Sequence, residues 1–553
     1  MYAATPACRS PRAAQHGSSL RTRMSGVYAA TRISLLLIAA LAAAPLVASP
    51  AAVLHRGNGV EPESLDPHQA RSESALMVLR DLYEGLVTTA PDGALEPGQA
   101  ERWEQSADGL TWTFHLRVTA RWSDGTPVTA EDFAFAFRRL ADPATGAAYA
   151  RHLAVLRGAE AVLAGRAPPS TLGVAVRSPR TLVLTLTAPA PQLPALLTHP
   201  AAVPLPQAAI ARDPQRFTRP GRSPSNGAFL LAAWQPHEVI ALERNPRYWN
   251  DSATRLAGVR WYPIEDANAE LQRYRAGALD ATQTVAHRAL PLLRRERPDE
   301  LRVAPLLATY FYAFNLAQPP FRDAPALRQA LSLAIDREVL AGKIMGSGER
   351  AAWTLVPPGT AGYAPPLPAA AGWSAAQRLA EARRLYALAG YSQQRPLRLE
   401  LRHNTSDIHK RLASVVAQMW KQALGIETSI VNSEWRVFVQ DRRAGRITQV
   451  YRSGWNGDYD DPLTFLEVGR VGHPVNDFGF ADPAFDAALA AAAAERDPAR
   501  RATLLATAER RLLEQQPILP LYHYVSKHLV APRVVGWTDN LLDVHLSRQL
   551  ALR

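Results

Sequence analysis

SAAQRLAEARRLYALAGYSQQRPLRLELRHNTSDIHKRLASVVAQMWKQALG, residues 374–425, reads as helix, strand and helix in succession. Both helical segments end at a glycine, Gly390 and Gly425, in the position where a left-handed residue closes a helix. LRLELRHN (397–404) stands between them as a strand. Working outward, VLHRGNGVEPESLDP (53–67) runs from a strand into a turn, and SALMVLRDLYEGLVT (74–88) places Leu76, Leu79, Leu82 and Tyr83 at helical spacing behind a serine cap. TWTFHLR and RWSDGTPVT (111–129) alternate apolar and polar residues about Asp124-Gly125, which predicts a hairpin. AEDFAFAFRRL (130–140) then opens a helix with acids in its first turn, as the macrodipole prefers.

Further on, 181–189, 229–235, 238–245 and 310–316 are strand-like, and 271–282 is a helix closed by Gly277. Pro325 starts a helix to Asp336, 488–515 reads as helical, and ILPLYHYV (518–525) as the last strand. No internal repeat is present, and the proline-rich passages near 189–224 and 356–368 read as connections. Alternating strands and helices give an α/β fold with largely parallel sheets, whose ligands bind at the carboxyl ends of the strands. GSGER (346–350) falls short of a phosphate loop or dinucleotide fingerprint and reads as a helix terminator.

A chain of 553 residues, 47% hydrophobic and 20% charged, is long enough for two or three cored domains. Five of its basic residues, Arg9, Arg12, Arg21, Arg23 and Arg32, fall within the first fifty residues, which hold no acid. Without them the net charge of +12 drops to about +7. The remaining arginines are interleaved with acids and form no stripe with stacking aromatics, so no nucleic-acid partner is expected. Ile33–Ala48 is an apolar run behind Arg21, Arg23 and Arg32 and ahead of small residues, the pattern of a cleavable export signal. It is short for a spanning helix, which needs about 20 apolar residues. An uncleaved anchor and a start at Met24 are the alternatives. Cys8 precedes that run and is the only cysteine, so the exported chain is expected to lack disulfides and thiolate metal sites.

GWNGDYDDP (454–462) sets three carboxylates beside a tryptophan. Acid and base for glycoside hydrolysis face each other across a bond, which three acids within four residues of one loop do not. GxSxG and HExxH are absent, the fourteen histidines show no ligand spacing on a helix, and the loop lacks the closing Glu of a calcium site. Neither catalytic residues nor a metal nor a cofactor is therefore expected, and an exported hydrolase is the alternative of another class. Asp460 and Asp461 before Pro462 suit a turn in which carboxylates accept backbone N–H groups. Asp458 follows a strand-like approach and emerges at its end. Arg452, six residues earlier, is up to about 20 Å away at full extension, so the two charges suit the poles of a short zwitterion.

The chain resembles the periplasmic oligopeptide-binding proteins, the solute receptors of peptide ABC transporters, and their murein-peptide relatives. The likeness runs from Val53 to the C-terminus on SLDPH (64–68), RDLYEGL (80–86), WTFHLR and RWSDGTPVTAEDF (112–133), ERNPRYWN (243–250), PPFRD (319–323), NTSDIHKRLA (404–413) and RSGWNGDYDDP (452–462). It implies a type II, two-lobed binding protein with a third domain that closes by a hinge over an extended peptide. Lobe I would comprise 53–83, 208–310 and 527–553, the additional domain 84–207, and lobe II 311–526. By resemblance Asp458 receives the peptide ammonium, and Arg452, His409 and Arg442 receive the carboxylate of peptides of different lengths. Trp435 and Trp455 line side-chain pockets, Tyr149 stands beside the ligand, and Gly454 and Asn456 belong to the same segment. The family implies a monomeric periplasmic receptor that passes short peptides to a permease and its ATPase; murein tripeptide, haem or a nickel chelate are alternative solutes. Two departures stand out. Arg71 takes a place where relatives commonly have a glutamate, with Glu73 two residues on, and Ala308 and Asn456 take the places of a cystine that some relatives have.

Overall fold

The computed structural model describes residues 52–553 apart from 448 and 474; the expected export signal at 1–50 lies outside the described residues. Residues 52–553 lie in one compact unit. One sheet runs Val53–Gly57, Gly258–Tyr262, Val239–Arg244, Phe229–Gln235; a second runs Ala100–Gln105, Thr111–Leu116, Thr181–Thr185, Val174–Ser178. The third and largest runs Arg350–Ala351, Ile518–Leu529, Leu301–Phe314, Val450–Asn456, Arg398–Asn404, Glu427–Ser433.

The expected parallel character holds only locally. Arg398–Asn404 is parallel to both of its neighbours, and Val53–Gly57 is parallel to Gly258–Tyr262. The other pairings are antiparallel, including all of the second sheet and the pairs of Leu301–Phe314 with Val450–Asn456 and Ile518–Leu529. A parallel neighbour needs a crossover, usually a helix, and the helix Asp407–Leu424 supplies one between Arg398–Asn404 and Glu427–Ser433. Most other strands meet partners running the opposite way.

Local signals mark the helices within a few residues. Glu73–Leu82 is capped by Ser72, not Ser74: the Ser72 hydroxyl accepts the Ala75 N–H. Ser374 and Gln377 form a capping box at the start of Ala375–Leu388, and Gly425, at φ 74°, closes Asp407–Leu424. The stretch expected as one helix at 488–515 divides into Pro483–Ala494 and Pro498–Gln515, because Asp497 caps and Pro498 starts a new helix. At Asp124-Gly125 a short hairpin forms, with Trp122 N–H bonded to Thr126 O, Val128 N–H to Ala120 O and Arg121 bridged antiparallel to Pro127, but it does not extend to Thr111–Leu116. Thr111–Leu116 instead pairs with Ala100–Gln105 and with the buried strand Thr181–Thr185.

One buried cluster spans the first two sheets, joining Leu54, Val259 and Trp261 to Phe114, Phe137 and Leu182. The second sheet thus shares its core with the first. The third sheet is covered on both faces, as strand alternation requires: Tyr310, Tyr312, Leu401 and Trp420 pack on one side, Phe311, Ala313, Tyr451 and Leu512 on the other. Each such fully buried large side chain contributes about 1.5–3 kcal/mol. Leu301–Phe314 and Ile518–Leu529 carry this sheet back toward the first, where Thr282 N–H bonds Leu529 O and Ala281 bridges both Arg56 and Val530. The molecule is two-lobed, with the loop after Val450–Asn456 facing the space between the lobes.

Candidate functional site

A cavity of about 560 Å³ is lined by Arg71, Arg80, Tyr149 and His199 from one side and by Asn456, Gly457 and Asp458 from the other. Four carboxylates reach its wall. Glu84 is already engaged by Gln99, Tyr248 and Trp249, Asp543 by His528 and His545, and Glu73 opens its own helix with Arg80 as the opposite charge. Among the described residues Asp458 has no ion-pair partner nearer than His152 Nε2, 3.8 Å away across the cleft.

Opposite Asp458 stands a wall of three rings. Tyr149 lies 4.2 Å from His199 and 5.2 Å from His152 between centroids, and the two imidazoles meet edge-on at 4.7 Å. Burial, aided by the neighbouring His152 and Arg80, holds His199 well below the usual histidine range, so it is neutral and its Nδ1 accepts the Ala201 N–H. Burial also raises the Tyr149 phenol, and the charge of Asp458 adds to that. A carboxylate facing aromatic surfaces is an environment that favours a compact cation.

The loop bearing Asp458 is braced from below. Thr464 Oγ1 accepts both the Trp455 Nε1–H and the Asp458 backbone N–H at 3.3 Å. Gly457 packs so tightly that a Cβ would lie 2.5 Å from Leu307 Cδ2. Asp461 is gripped by Arg501 at 2.7 and 2.8 Å and caps Leu463, and Asp460 accepts the Ala361 N–H. Burial pushes Asp460 up to about 6. Asp460 and Asp461 shape the turn; Asp458 is the acid turned to the cavity.

Earlier on the same strand, four residues and about 13 Å before Asn456, Arg452 meets a cluster of phenols. Its guanidinium lies 5.2 Å from the Tyr310 ring centre and 3.5 Å from Tyr524 Oη, and its buried Nε has no hydrogen-bond partner. Among the described residues no carboxylate comes within ion-pair distance of it. The Tyr312 hydroxyl, opposite Arg452 in the strand register, is likewise buried and unpartnered. His409 Nδ1 approaches Tyr310 Oη at 3.4 Å. Burial first, then the Arg452 charge, lowers His409 to about 3, so it is neutral here. A Cβ on Gly454 would come 3.2 Å from Thr309 O and 3.8 Å from both Arg452 Nη2 and Tyr524 Oη, so the glycine fits closely against the neighbouring strand beside the guanidinium.

The profile of bacterial extracellular solute-binding proteins, family 5 (middle region), matches residues 94–473. The chain belongs to this family. It is 39% identical over 521 residues to the periplasmic oligopeptide-binding protein OppA of Escherichia coli (strain K12), covering 93% of this chain and 95% of that one. Among solved structures, the Escherichia coli murein tripeptide binding protein MppA superposes with a TM-score of 0.79 at 36% identity, covering 91% of this chain and 99% of the other. Haemophilus influenzae OppA in complex with RPPGFSPFR gives 0.77 at 36% identity, with the same coverage.

In this family-5 protein the residues grouped by sequence fall into different places. Tyr149, Asn456 and Asp458 line the cavity, and Arg452, His409 and Gly454 gather about Tyr310. Arg442 stands apart. It pairs with Asp477 and donates to Ser453, one residue on from Arg452 and therefore on the opposite face of the strand. The two arginines expected to receive the carboxylates of peptides of different lengths thus stand on opposite faces of the strand. Trp455 also points away from Arg452 and packs into the core with Phe465, and Trp435, 51% exposed, stacks on Phe438 outside the cavity wall. His152, His199, Tyr310 and Tyr524 were not singled out from sequence. Their only signal there was residue type; the ring wall is assembled from separate loops.

Proposed function

We propose that the protein is an exported receptor that holds short peptides between its lobes and delivers them to the permease and ATPase of an ABC importer, with no chemical step. The observation that carries this reading is the pair of unmatched charges on one segment: the Asp458 carboxylate on the cavity wall and the Arg452 guanidinium without an acid. A peptide ammonium fits the first, facing the rings of Tyr149 and His152. A peptide carboxylate fits the second, where Tyr312, Tyr524 and His409 supply further polar atoms. Main-chain bonding of the strand-addition type would supply affinity that is independent of side chains. The poles fix register. Lobe I (53–83, 208–310, 527–553), the inserted 84–207 segment and lobe II (311–526) would close about the crossing strands, ligand shifting an open-to-closed equilibrium. Arg442, Trp435 and Trp455 would act on longer ligands or after closure. The named relatives bind oligopeptides or murein tripeptide, and the periplasmic names of several support export.

Arg71 and Arg80 on the cavity wall favour a second reading within the same class, a peptide with an extra carboxylate such as a murein tripeptide. Mass spectrometry of small molecules released from the purified protein tests both. Short peptides are the expected cargo. Recovery of a non-peptide solute, or cleavage of an added peptide, overturns the assignment.

A further inference from the structure

Two imidazoles and a carboxylate converge where the crossing strands return to lobe I, Asp543 sharing the cavity wall with Asp458 but bonded to neither charge pole. His528 lies on Ile518–Leu529; Asp543 and His545 follow in the C-terminal segment. His528 Nε2 is 2.8 and 3.0 Å from the two Asp543 oxygens, and His545 Nε2 is 3.1 Å from Asp543 Oδ1. One ligand atom from each residue lies within 4.8 Å of the others. Both histidines are buried, while Asp543 lies on the cavity wall.

Each group is held from behind. His528 Nδ1 is 3.0 Å from the Thr282 carbonyl oxygen, which can only accept, so Nδ1 carries the hydrogen and Nε2 is turned to Asp543. Metal-ligating histidines are oriented this way, by a second-nitrogen bond to a carbonyl. The His545 ring stacks on Trp537 at 3.8 Å, and its carbonyl accepts from Arg56 at 2.7 Å. Asp543 sits at φ 55°, a left-handed conformation that aspartate tolerates better than most side chains, and the Asn540 side chain ties the loop through Val544. Arg56 is the nearby positive charge; it is offset by Asp81 through Ser547.

We propose that His528, Asp543 and His545 form a binding site for a divalent transition metal ion of the zinc class, with its open position toward the cleft. Two imidazole nitrogens and one carboxylate oxygen suit zinc and its first-row neighbours, whereas calcium and magnesium prefer all-oxygen sets. The nitrogen–oxygen separations of 2.8–3.1 Å need only a small outward movement to admit an ion bonded at about 2.0–2.2 Å. No ligand spacing announces the site, because the residues sit on a strand and a loop that only folding joins.

The test uses the exported-length protein, stripped by chelator and dialysed, titrated with zinc by calorimetry and with cobalt by visible absorption. The expected result is one zinc per chain and cobalt bands of a low-symmetry four-coordinate ion. His545→Gln should weaken zinc at least tenfold, since loss of an orienting partner alone costs about 10–100-fold. It should leave peptide affinity unchanged. Asp458→Asn should leave the zinc titration as it is. Absence of saturable binding, equal binding by His545→Gln, or loss through Asp458→Asn instead would overturn the site. Should His545→Gln fail to fold, the cobalt spectrum of the intact protein decides alone, and no such bands means no such site.

Discussion

The Asp458 carboxylate faces the His152 imidazole across the cleft at 3.8 Å, too far for a hydrogen bond and near enough to define one end of a ligand space. With 37% of its side chain exposed, Asp458 keeps part of its hydration, so a ligand ammonium gains less there than in a sealed site. Asp458→Asn should weaken tripeptides and tetrapeptides alike by roughly tenfold, about 1–2 kcal/mol. Calorimetry with free and N-acetylated peptides checks this: the acetylated forms should bind the unaltered receptor weakly and be indifferent to the substitution. Equal affinity of both proteins for free tripeptides would remove Asp458 from recognition.

At the other pole, Arg452 rests on the Tyr310 ring with a buried, unpartnered Nε. A guanidinium kept without an acid costs stability and prepares a carboxylate site. Arg452→Met should therefore raise the melting temperature of the empty receptor and weaken peptides with a free C-terminus by about 10–100-fold, the range of a charged hydrogen bond. C-terminally amidated peptides should lose little. A variant that melts lower and binds free-acid peptides normally would mark Arg452 as purely structural.

Much of this was legible locally. The caps at Ser374 and Gly425, the strand at 397–404 and the exposed end of the GWNGD segment follow from residue types and spacing, which the structure repeats. Pairing direction was not, because it depends on which distant strand lies alongside: Thr111–Leu116 chose Thr181–Thr185 over its neighbour after the Asp124 turn. Family resemblance brought Arg442 and Arg452 together as carboxylate receivers. A period of two then separates them, since Arg442 reaches Ser453 and so the other face. The ring wall of Tyr149, His152 and His199 is likewise a product of tertiary packing, and His152 lies only three residues from the tyrosine that was named.

Glu509 is a buried acid in lobe II that the site does not use. It accepts the Leu355 and Val356 N–H groups and the Tyr363 hydroxyl at 2.8–2.9 Å, yet burial pushes it up to about 7. The folded state therefore binds this proton more tightly than the unfolded chain, whose carboxyl titrates near the ordinary value of 4.5. Between those two values stability falls as pH rises, and above about 7 it levels off. Glu509→Gln should abolish this share, roughly 3 kcal/mol across the window. Urea unfolding of both proteins from pH 5 to 8 measures it as a stability difference that shifts in favour of the Gln variant as pH rises. A difference that does not change with pH sinks the assignment.

Ala308 and Asn456 stand directly opposite each other in the antiparallel register. Gly457 N–H bonds Leu307 O, which makes the adjacent Ala308–Asn456 pair a non-hydrogen-bonded one, with Cα atoms about 4.5 Å apart. That spacing lies within the range a disulfide spans, and both side chains leave the sheet on the same face. Ala308→Cys combined with Asn456→Cys should thus oxidise spontaneously and fasten the Asp458 loop to the crossing strand. Closing so long a loop should stabilise the fold by about 2–4 kcal/mol, lost on adding reductant. Because Asn456 lines the cavity, its loss should change peptide affinity by a few-fold whether the bridge is oxidised or reduced, while the Asp458 contact persists. Thermal melts with and without dithiothreitol, beside peptide titrations, measure both. If the oxidised form melted no higher than the reduced one, the loop would already be as rigid as its packing on Leu307 and Thr464 can make it, and strand register would not be what holds Asp458 in place.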